Sequence, residues 1–356
     1  MLSILTAGAI AMTVTLLGTR FLIRFLTVKQ YGQFIRDDGP TEHHVKRGTP
    51  TMGGLIIIIA TLLGYFGSHA IFLRPPTASG LLALFLFVGL GFVGFLDDWT
   101  KISKARSLGL NGRAKLILQG LIGAAFAYLS LQFPNARGVT PGSPFVSFLR
   151  DINWLYLPLL LAIPWMMFII AAFSNGANLT DGLDGLLTGA ATMVFAAYAL
   201  MNIWQSNQWC GRASTVGPRC YEVRNPSDLA MLSLAIAGAL FGFLWWNANP
   251  AKIFMGDTGS LAIGGGVAAL AIMTRTELLS VVIGALFVAE ALSVVTQVGY
   301  FKLTKGKRLW RMAPLHHHFE AIGWGEITVV VRLWIMCGLA VAVGMGLFYT
   351  EWVATQ

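Results

Sequence analysis

Long apolar runs separated by short polar segments dominate the chain from its first residues. Runs of roughly 17–25 apolar residues are long enough to cross the hydrocarbon core of a bilayer as helices. Helices are favoured over strands because lipid does not tolerate an open backbone, and because the residue alternation of a membrane β-barrel is absent. We predict about ten transmembrane helices, at residues 2–26, 52–73, 80–97, 115–133, 155–173, 185–204, 229–246, 259–273, 278–301 and 327–349.

The composition supports this prediction. Of the 356 residues, 56% are hydrophobic and only 12% are charged, whereas a soluble domain carries roughly 25% charged residues. A soluble enzyme, a disordered chain and a disulfide-rich secreted module are therefore disfavoured. Because no soluble domain or long linker interrupts the apolar runs, we predict an all-α integral membrane protein with a single polytopic domain over residues 1–356.

The distribution of basic residues predicts the orientation in the membrane. The loops after predicted spans one, three, five, seven and nine, with their helix ends, hold sixteen Lys and Arg, and the other side holds seven. The positive-inside rule places the first set in the cytoplasm and both termini outside. The net charge of +9 does not indicate a nucleic-acid partner, because no basic stretch carries the interleaved aromatic residues of a stacking platform.

The three cysteines give limited information. Cys210 and Cys220 lie in one polar loop on the predicted outer side and would pair only if that loop faces an oxidising compartment. Whether they pair stays open from the sequence. Cys337 lies in an apolar run, where we expect it to pack without reacting.

Acidic residues gather at the cytoplasmic ends of several predicted spans, where a charge is costly and commonly functional. Asp97 and Asp98 close the third span. Adjacent carboxylates resist joint ionisation unless a cation lies between them. The pair is therefore either a metal or base site, or two solvated acids at a helix end.

Two further polar segments lie on the same predicted side. In the first, Asn178, Asp181 and Asp184 recur every third residue, a spacing that predicts one helix face. In the second, glycines flank Asp257 and predict a tight loop that presents its carboxylate, while Phe254 offers a flat face to a base. We interpret both segments as parts of a ligand site.

Histidine and lysine residues add to this set. His316, His317 and His318 are consecutive and follow a basic run. All three cannot face one point on a helix, so contact with phosphate or with a proton in transfer is favoured over a zinc site, which remains an alternative. Lys46 precedes small residues at the start of the second span, either as a simple cytoplasmic flank or as part of an anion site.

Acids, imidazoles and basic groups on one membrane face suit a Mg²⁺-bound diphosphate. The hard cation prefers carboxylate and phosphate oxygens and helps a phosphate to leave, while basic groups stabilise the remaining phosphate oxygens. The sequence therefore predicts phosphoryl-group transfer at a membrane surface.

The motifs GTPTMGG, FLDDW, NLTDGLDGL, FMGDTGSL and RMAPLHHHFE follow one another between about Phe34 and Arg332. In this combination the chain closely resembles the bacterial phospho-N-acetylmuramoyl-pentapeptide transferase (MraY) family, within the polyprenyl-phosphate N-acetylhexosamine-1-phosphate transferase superfamily. The resemblance implies ten transmembrane helices in the bacterial inner membrane, a cytoplasmic active-site cleft, external termini and a homodimer. It also implies a Mg²⁺-dependent reaction of UDP-MurNAc-pentapeptide with undecaprenyl phosphate, which gives lipid I and UMP for peptidoglycan synthesis.

The resemblance also assigns roles to individual positions. Asp257 would be the principal Mg²⁺ ligand, Asp97 and Asp98 would complete the metal and catalytic set with one of them as base, and His316 would be a catalytic contact. The positions expected to bind substrate are Lys46, Thr51, Lys115, Asn178, Asp181, Asp184, Asn247, Phe254, Gly256, Gln297, His317 and His318.

Two other functions remain open at this point. A sister enzyme would use UDP-GlcNAc and the same polyprenyl phosphate chemistry. A lipid transporter without enzymatic activity would place charged groups at the bilayer midplane, a position that only Glu290 fits in this sequence.

Overall fold

The computed structural model describes residues 1–29, 48–104, 109–212 and 220–353, and most of these residues are helical. The helices are α1 (Leu2–Val28), α2 (Gly54–Ile71), α3 (Ala78–Ser103), α4 (Gly112–Ser130), α5 (Leu159–Thr180), α6 (Leu186–Asn207), α7 (Pro226–Asn247), α8 (Gly256–Met273), α9 (Leu279–Ile283), α10 (Ala285–Leu303), α11 (Leu315–Ala321) and α12 (Glu326–Val353).

Nine helices of the described ranges are long and apolar enough to cross a membrane, which confirms the prediction of a multi-pass helical membrane protein. The helix α4 is a tenth long helix. Arg113, Lys115 and Gln119 lower its mean hydropathy, so it is less apolar than the other nine.

Two local features correct the sequence prediction. A short antiparallel hairpin, β1 (Phe145–Ser147) and β2 (Asp151–Tyr156), precedes α5, so the protein is not entirely helical. The predicted ninth span, 278–301, is interrupted at Gly284, which ends α9 before α10 begins. The ring of Phe173 lies against Gly284 and leaves no room there for a side chain.

Side-chain caps fix the start of two helices that carry site residues. Thr77 accepts a hydrogen bond from the backbone N–H of Gly80 at the start of α3. Asn111 accepts one from Ala114 at the start of α4. Such caps satisfy backbone donors that have no partner within the helix. The cap at Asn111 sets Lys115 in the first turns of α4.

Glycine residues allow the helix carrying Asp257 to pack unusually close to its neighbours. Almost every residue of α8 is buried. At Gly94 of α3, a Cβ atom would collide with the backbone of Asp257, and at Gly54 of α2 it would collide with the backbone of Gly259. Because glycine has no Cβ, both helices can approach α8 at these points.

The alternating helix directions collect the predicted site residues at one end of the bundle, which we call the site end. It contains the last turns of α3 and α5 and the first turns of α4, α6 and α8. The opposite end, which we call the hairpin end, contains β1 and β2 and a disulfide between Cys210 and Cys220. The structure thus forms the pairing that the sequence left open.

Candidate active site

Three carboxylates from two helices converge at the site end. Asp97 and Asp98 lie near the end of α3, and Asp257 lies in the first turn of α8. One oxygen from each lies within 4.8 Å of the other two. The first two residues are buried, and Asp257 is 17% exposed. The prediction that Asp257 lies in a tight loop is wrong, because it begins a helix.

Hydrogen bonds to the start of α8 fix the orientation of Asp98. Its Oδ2 accepts the backbone N–H of Thr258 at 2.9 Å and the Thr258 hydroxyl at 2.7 Å, and its Oδ1 accepts the backbone N–H of Asp257 at 3.2 Å. The partial positive charge at a helix N-terminus stabilises a carboxylate there. Asp98 therefore joins the end of α3 to the start of α8, and these bonds hold its carboxylate beside the other two acids.

Two lysines offset the negative charge of this cluster. The Nζ of Lys101 lies 2.7 Å from Asp97 Oδ2, 3.5 Å from Asp98 Oδ1 and 3.3 Å from Asp257 Oδ2. The Nζ of Lys115 lies 2.5 Å from Asp257 Oδ2. Lys115 was among the predicted substrate contacts, whereas Lys101 was not predicted to belong to the site. Its spacing of three and four residues from the acidic pair was a signal that could have identified it.

The carboxylate cluster fits a divalent metal ion. It offers oxygen donors from three residues at mutual distances that a single ion can span. Oxygen donors are those preferred by hard cations such as Mg²⁺. Three carboxylates this close also repel one another unless positive charge lies among them, and the ammonium of Lys101 supplies such charge in the structure.

The segment 178–185 is a turn between two helices, not the single helix face that its spacing predicted. Asn178 lies in the last turn of α5, which ends at Thr180, and its Oδ1 accepts the Ser260 hydroxyl at 2.7 Å. Asp184 precedes α6, and its Oδ2 accepts the backbone N–H of Ala251 at 3.0 Å. The turn therefore connects α5 with the loop before α8.

Asp181 lies within this turn and senses the carboxylate cluster. Burial and the negative charges of Asp257 and Asp98 together raise the pKa of Asp181 to about 8, although Lys101 opposes them. A carboxyl with this pKa is largely protonated at neutral pH. It takes its charge when positive charge, such as a metal ion, enters the site.

The segment before α2 pairs with the segment before α8. Phe254 donates its backbone N–H to Pro50 at 2.8 Å and accepts the backbone N–H of Gly53 at 2.9 Å. Gly256 follows with φ of +74°, a conformation that L side chains rarely adopt. A Cβ there would also press on Thr51 and Asp98. The predicted nucleotide contacts Thr51, Phe254 and Gly256 are thus brought together beside the acidic cluster.

Asn247 lies behind this segment and supports it. Its Oδ1 accepts the Thr188 hydroxyl at 2.5 Å, and its Nδ2 donates to the backbone carbonyl of Ile253 at 3.0 Å. Both polar groups therefore hold the loop that presents Phe254. The predicted role of Asn247 in substrate binding remains a prediction. Lys46 lies outside the described residues.

The three consecutive histidines point in different directions, as expected. His316 is fully buried, and its Nε2 lies over Gly182. His317 places Nδ1 2.7 Å from Oε2 of Glu320. The Nδ1 of His318 accepts the backbone N–H of Arg311 at 3.2 Å. His316 is therefore the member of the three that adjoins the aspartate turn.

Gln297 of α10 contacts the loop that precedes the three histidines. Its side chain bonds to the backbone of Leu309 and Trp310. These hydrogen bonds fix the position of that loop relative to α10. Its predicted substrate contact remains a prediction.

Comparisons with known proteins agree with this geometry. A model of glycosyl transferase family 4 matches residues 80–275, more than half of the chain. The phospho-N-acetylmuramoyl-pentapeptide-transferase signature 1 matches residues 46–58. The match to the family 4 model spans the acidic pair of α3, the aspartate turn and the start of α8.

Relatives that match over the full length of the chain are named phospho-N-acetylmuramoyl-pentapeptide-transferase. The phospho-N-acetylmuramoyl-pentapeptide-transferase of Cutibacterium acnes is 62% identical over 356 residues, 100% of both chains. Those of Paenarthrobacter aurescens and a Nocardioides species are 59% and 58% identical, over 99% of this chain and 99% and 100% of theirs. The chain therefore belongs to glycosyl transferase family 4 and, within it, to the phospho-N-acetylmuramoyl-pentapeptide-transferase family.

Proposed function

We propose that the protein transfers phospho-MurNAc-pentapeptide from UDP-MurNAc-pentapeptide to undecaprenyl phosphate, giving lipid I and UMP in peptidoglycan synthesis. The observation that carries this proposal is the convergence of Asp97, Asp98 and Asp257 with Lys101 and Lys115 at one end of a membrane bundle. Phosphoryl transfer depends mainly on positioning and on stabilisation of charge. A cluster of acids and lysines supplies both.

Mg²⁺ is the proposed cofactor, with Asp257 as its principal ligand and Asp97 and Asp98 as the others. When bound, the ion neutralises charge on the diphosphate and makes UMP a better leaving group. Lys115 and Lys101 lie beside the cluster and stabilise the negative charge of the phosphate oxygens through electrostatic contacts.

The proposed reaction is a direct displacement. An oxygen of the lipid phosphate attacks the β-phosphorus of the nucleotide sugar, the bond from this phosphorus to the bridging oxygen breaks, and UMP leaves with that oxygen. One of Asp97 and Asp98 accepts the proton of the lipid phosphate. Both carboxylates are held in place: Asp98 accepts three hydrogen bonds from the start of α8, and Asp97 accepts the backbone N–H of Leu110 and pairs with Lys101.

The nucleotide and sugar are proposed to lie between two neighbouring segments. Phe254 stacks on the base beside Gly256 and Thr51, and Lys46, which precedes Thr51 by five residues in the sequence, is a further proposed substrate contact. The aspartate turn and the histidines contact the diphosphate and sugar, with His316 closest to the reacting groups. The remaining contacts proposed for substrate are Asn178, Asp181, Asp184, Asn247, Gln297, His317 and His318.

We propose that the site end faces the cytoplasm of a bacterial inner membrane and that both termini lie outside, with the chain as a homodimer. The excess of Lys and Arg on the site end supports this orientation. The disulfide at the hairpin end supports it independently, because disulfides persist in oxidising compartments. The two ends are separated by the length of α6, which has 22 residues.

The test is UMP release by the purified full-length protein in detergent. We expect release from UDP-MurNAc-pentapeptide only when both Mg²⁺ and undecaprenyl phosphate are present. Faster turnover of UDP-GlcNAc would instead identify the sister transferase. UMP release that persists in Asp257→Asn would contradict an enzyme built on this cluster. A phosphosugar trapped on an aspartate without lipid acceptor would replace direct displacement with a two-step reaction.

A further inference from the structure

Two polar residues on one face of α10 hold the segment that carries the histidines. Glu290 and Gln297 are seven residues apart, which is two helical turns, so they lie on the same side of the helix. The Oε1 of Gln297 accepts the backbone N–H groups of Leu309 at 3.1 Å and Trp310 at 2.9 Å, and its Nε2 donates to the Trp310 carbonyl at 3.3 Å. This contact fixes the start of the segment.

Glu290 fixes the other end. It is fully buried, and its Oε2 accepts the backbone N–H of Leu315 at 2.7 Å. Its Oε1 accepts the backbone N–H of His316 at 3.3 Å and lies 3.2 Å from the Nδ1 of the same residue. A buried carboxylate is costly unless donors compensate for the loss of water. Here the donors belong to one segment, 315–316.

The imidazole of His316 is buried and adjoins the aspartate turn. Within the described residues, neither of its ring nitrogens has a well-aligned hydrogen-bond partner. The Nδ1 faces the carboxylate of Glu290, and the Nε2 lies over Gly182, next to Asp181. A buried polar atom without a partner is costly. The arrangement therefore leaves Nε2 available to a ligand in the site.

We propose that Glu290 is a positioning residue that acts through His316. This inference rests on the proposed function, in which His316 contacts the reacting groups. The carboxylate beside Nδ1 favours the ring form that carries its proton there, which leaves Nε2 to accept a proton or to contact a phosphate oxygen. Glu290 thereby sets both the place and the protonation of His316, as carboxylates do for functional histidines elsewhere.

Other titratable groups also surround His316. His317 places its ring centroid 4.2 Å from that of His316. Asp181 adjoins Gly182 in the aspartate turn. Glu326 begins α12 and accepts the backbone N–H of Asp184 at 3.1 Å. Glu290 is the acid whose carboxylate lies against the ring itself, so its removal should affect His316 first.

The test compares Glu290→Gln with Glu277→Gln in the purified full-length protein. Glu277 is a matched control, because it is also buried and also accepts a backbone N–H, but it lies at the hairpin end. For Glu290→Gln we expect kcat of UMP release to fall about 10- to 100-fold, the usual effect of losing a residue that orients a functional group. We expect KM for the nucleotide sugar to stay within a factor of about 3. Glu277→Gln should leave both constants unchanged.

A conservative variant separates positioning from simple support of the fold. Glu290→Asp keeps a carboxylate on α10, so it should retain more kcat than Glu290→Gln, while KM stays unchanged in both. Glu290→Asp also serves if Glu290→Gln does not fold. Equal kcat losses in the two variants would indicate support of the fold alone.

A double mutant provides the final check. If Glu290 acts through His316, then adding Glu290→Gln to His316→Gln should cost less than about twofold in kcat. Full additivity of the two losses, equal kcat in Glu290→Gln and Glu290→Asp, or wild-type kcat in Glu290→Gln would each overturn the positioning role while leaving the transferase in place. A wild-type protein that releases no UMP would overturn the proposed function and this role with it.

Discussion

The two ends of the bundle both bury charged side chains, but they pair them in different ways. At the hairpin end, Arg275 donates to the backbone carbonyls of Thr140 and Pro141 at 2.9 and 3.0 Å. Glu277 accepts the backbone N–H of Ser147 at 3.1 Å and the indole N–H of Trp165 at 3.0 Å. These neutral partners join β1 and the loops to α9, and the charged partner of Arg275, Asp151 at 3.6 Å from its Nε, has the opposite sign.

At the site end, charged groups face charged groups. Asp97, Asp98 and Asp257 lie within contact distance of one another, and Lys101 touches all three. Such a cluster is stable only with positive charge among its members. Burial of charge alone therefore does not identify a site. Charges satisfied by the backbone indicate support of the fold, whereas converging like charges indicate a place for a cation.

The largest expected effect follows from removing the charge at the centre of the cluster. We expect Asp257→Asn to lower kcat of UMP release by about 10³-fold or more, because electrostatic stabilisation of the transition state is lost. The substitution also removes the ion pairs that Asp257 makes with Lys101 and Lys115, so the melting temperature without Mg²⁺ is measured alongside kcat. Glu277→Gln serves as the control at the hairpin end. Equal losses of kcat in the two variants would contradict the distinction between the site end and the hairpin end.

A second substitution tests the role of Lys101. Its ammonium lies among the carboxylates that would hold a metal ion, so it competes with that ion for the same oxygens. Lys101→Met should tighten Mg²⁺ binding to the protein without substrates by about tenfold, or about 1.4 kcal/mol, as measured by the Mg²⁺ dependence of the melting temperature. The exposed Lys104→Met, one turn away, should leave the affinity unchanged. Equal affinities in wild type and Lys101→Met would refute competition.

The smallest effect concerns stability at the hairpin end. Burial raises the pKa of Glu277 to about 7, from 4.5. Because the folded state holds this proton more tightly than the unfolded state, the stabilisation is complete below pH 4.5 and is lost as pH rises through 7. The melting temperature of the wild type should therefore fall by a few degrees relative to Glu277→Gln between pH 5 and pH 8. Parallel curves of melting temperature against pH for the two proteins would show that the folded state does not hold the Glu277 proton more tightly than the unfolded state.

Much of the fold follows from hydropathy, and the exceptions have physical causes. Nine spans were predictable because a long apolar run has few alternatives to crossing a membrane. A window of about 20 residues averages over a single glycine, so it missed the interruption at Gly284. It also missed the hairpin at 145–156, whose strands are short and partly exposed.

The candidate site was predictable in its acids but not in its arrangement. Asp97, Asp98 and Asp257 stood out because carboxylates at the ends of apolar spans are rare. The spacing of Lys101 from Asp97 and Asp98 is local, but its contact with Asp257 depends on how α8 packs against α3. The contact of Lys115 with Asp257 likewise joins residues 142 positions apart. No local pattern reports these two long-range contacts. The same applies to Asn247, whose side chain supports a loop from behind.

Diffraction from crystals soaked with Mn²⁺ tests most directly the claim that one divalent ion links α3 and α8. Anomalous scattering locates the ion independently of catalysis. We predict one strong peak per chain within coordination distance of carboxylate oxygens of Asp97, Asp98 and Asp257, and loss of that peak in Asp257→Asn. A peak elsewhere, or an unchanged peak in the variant, would contradict the account.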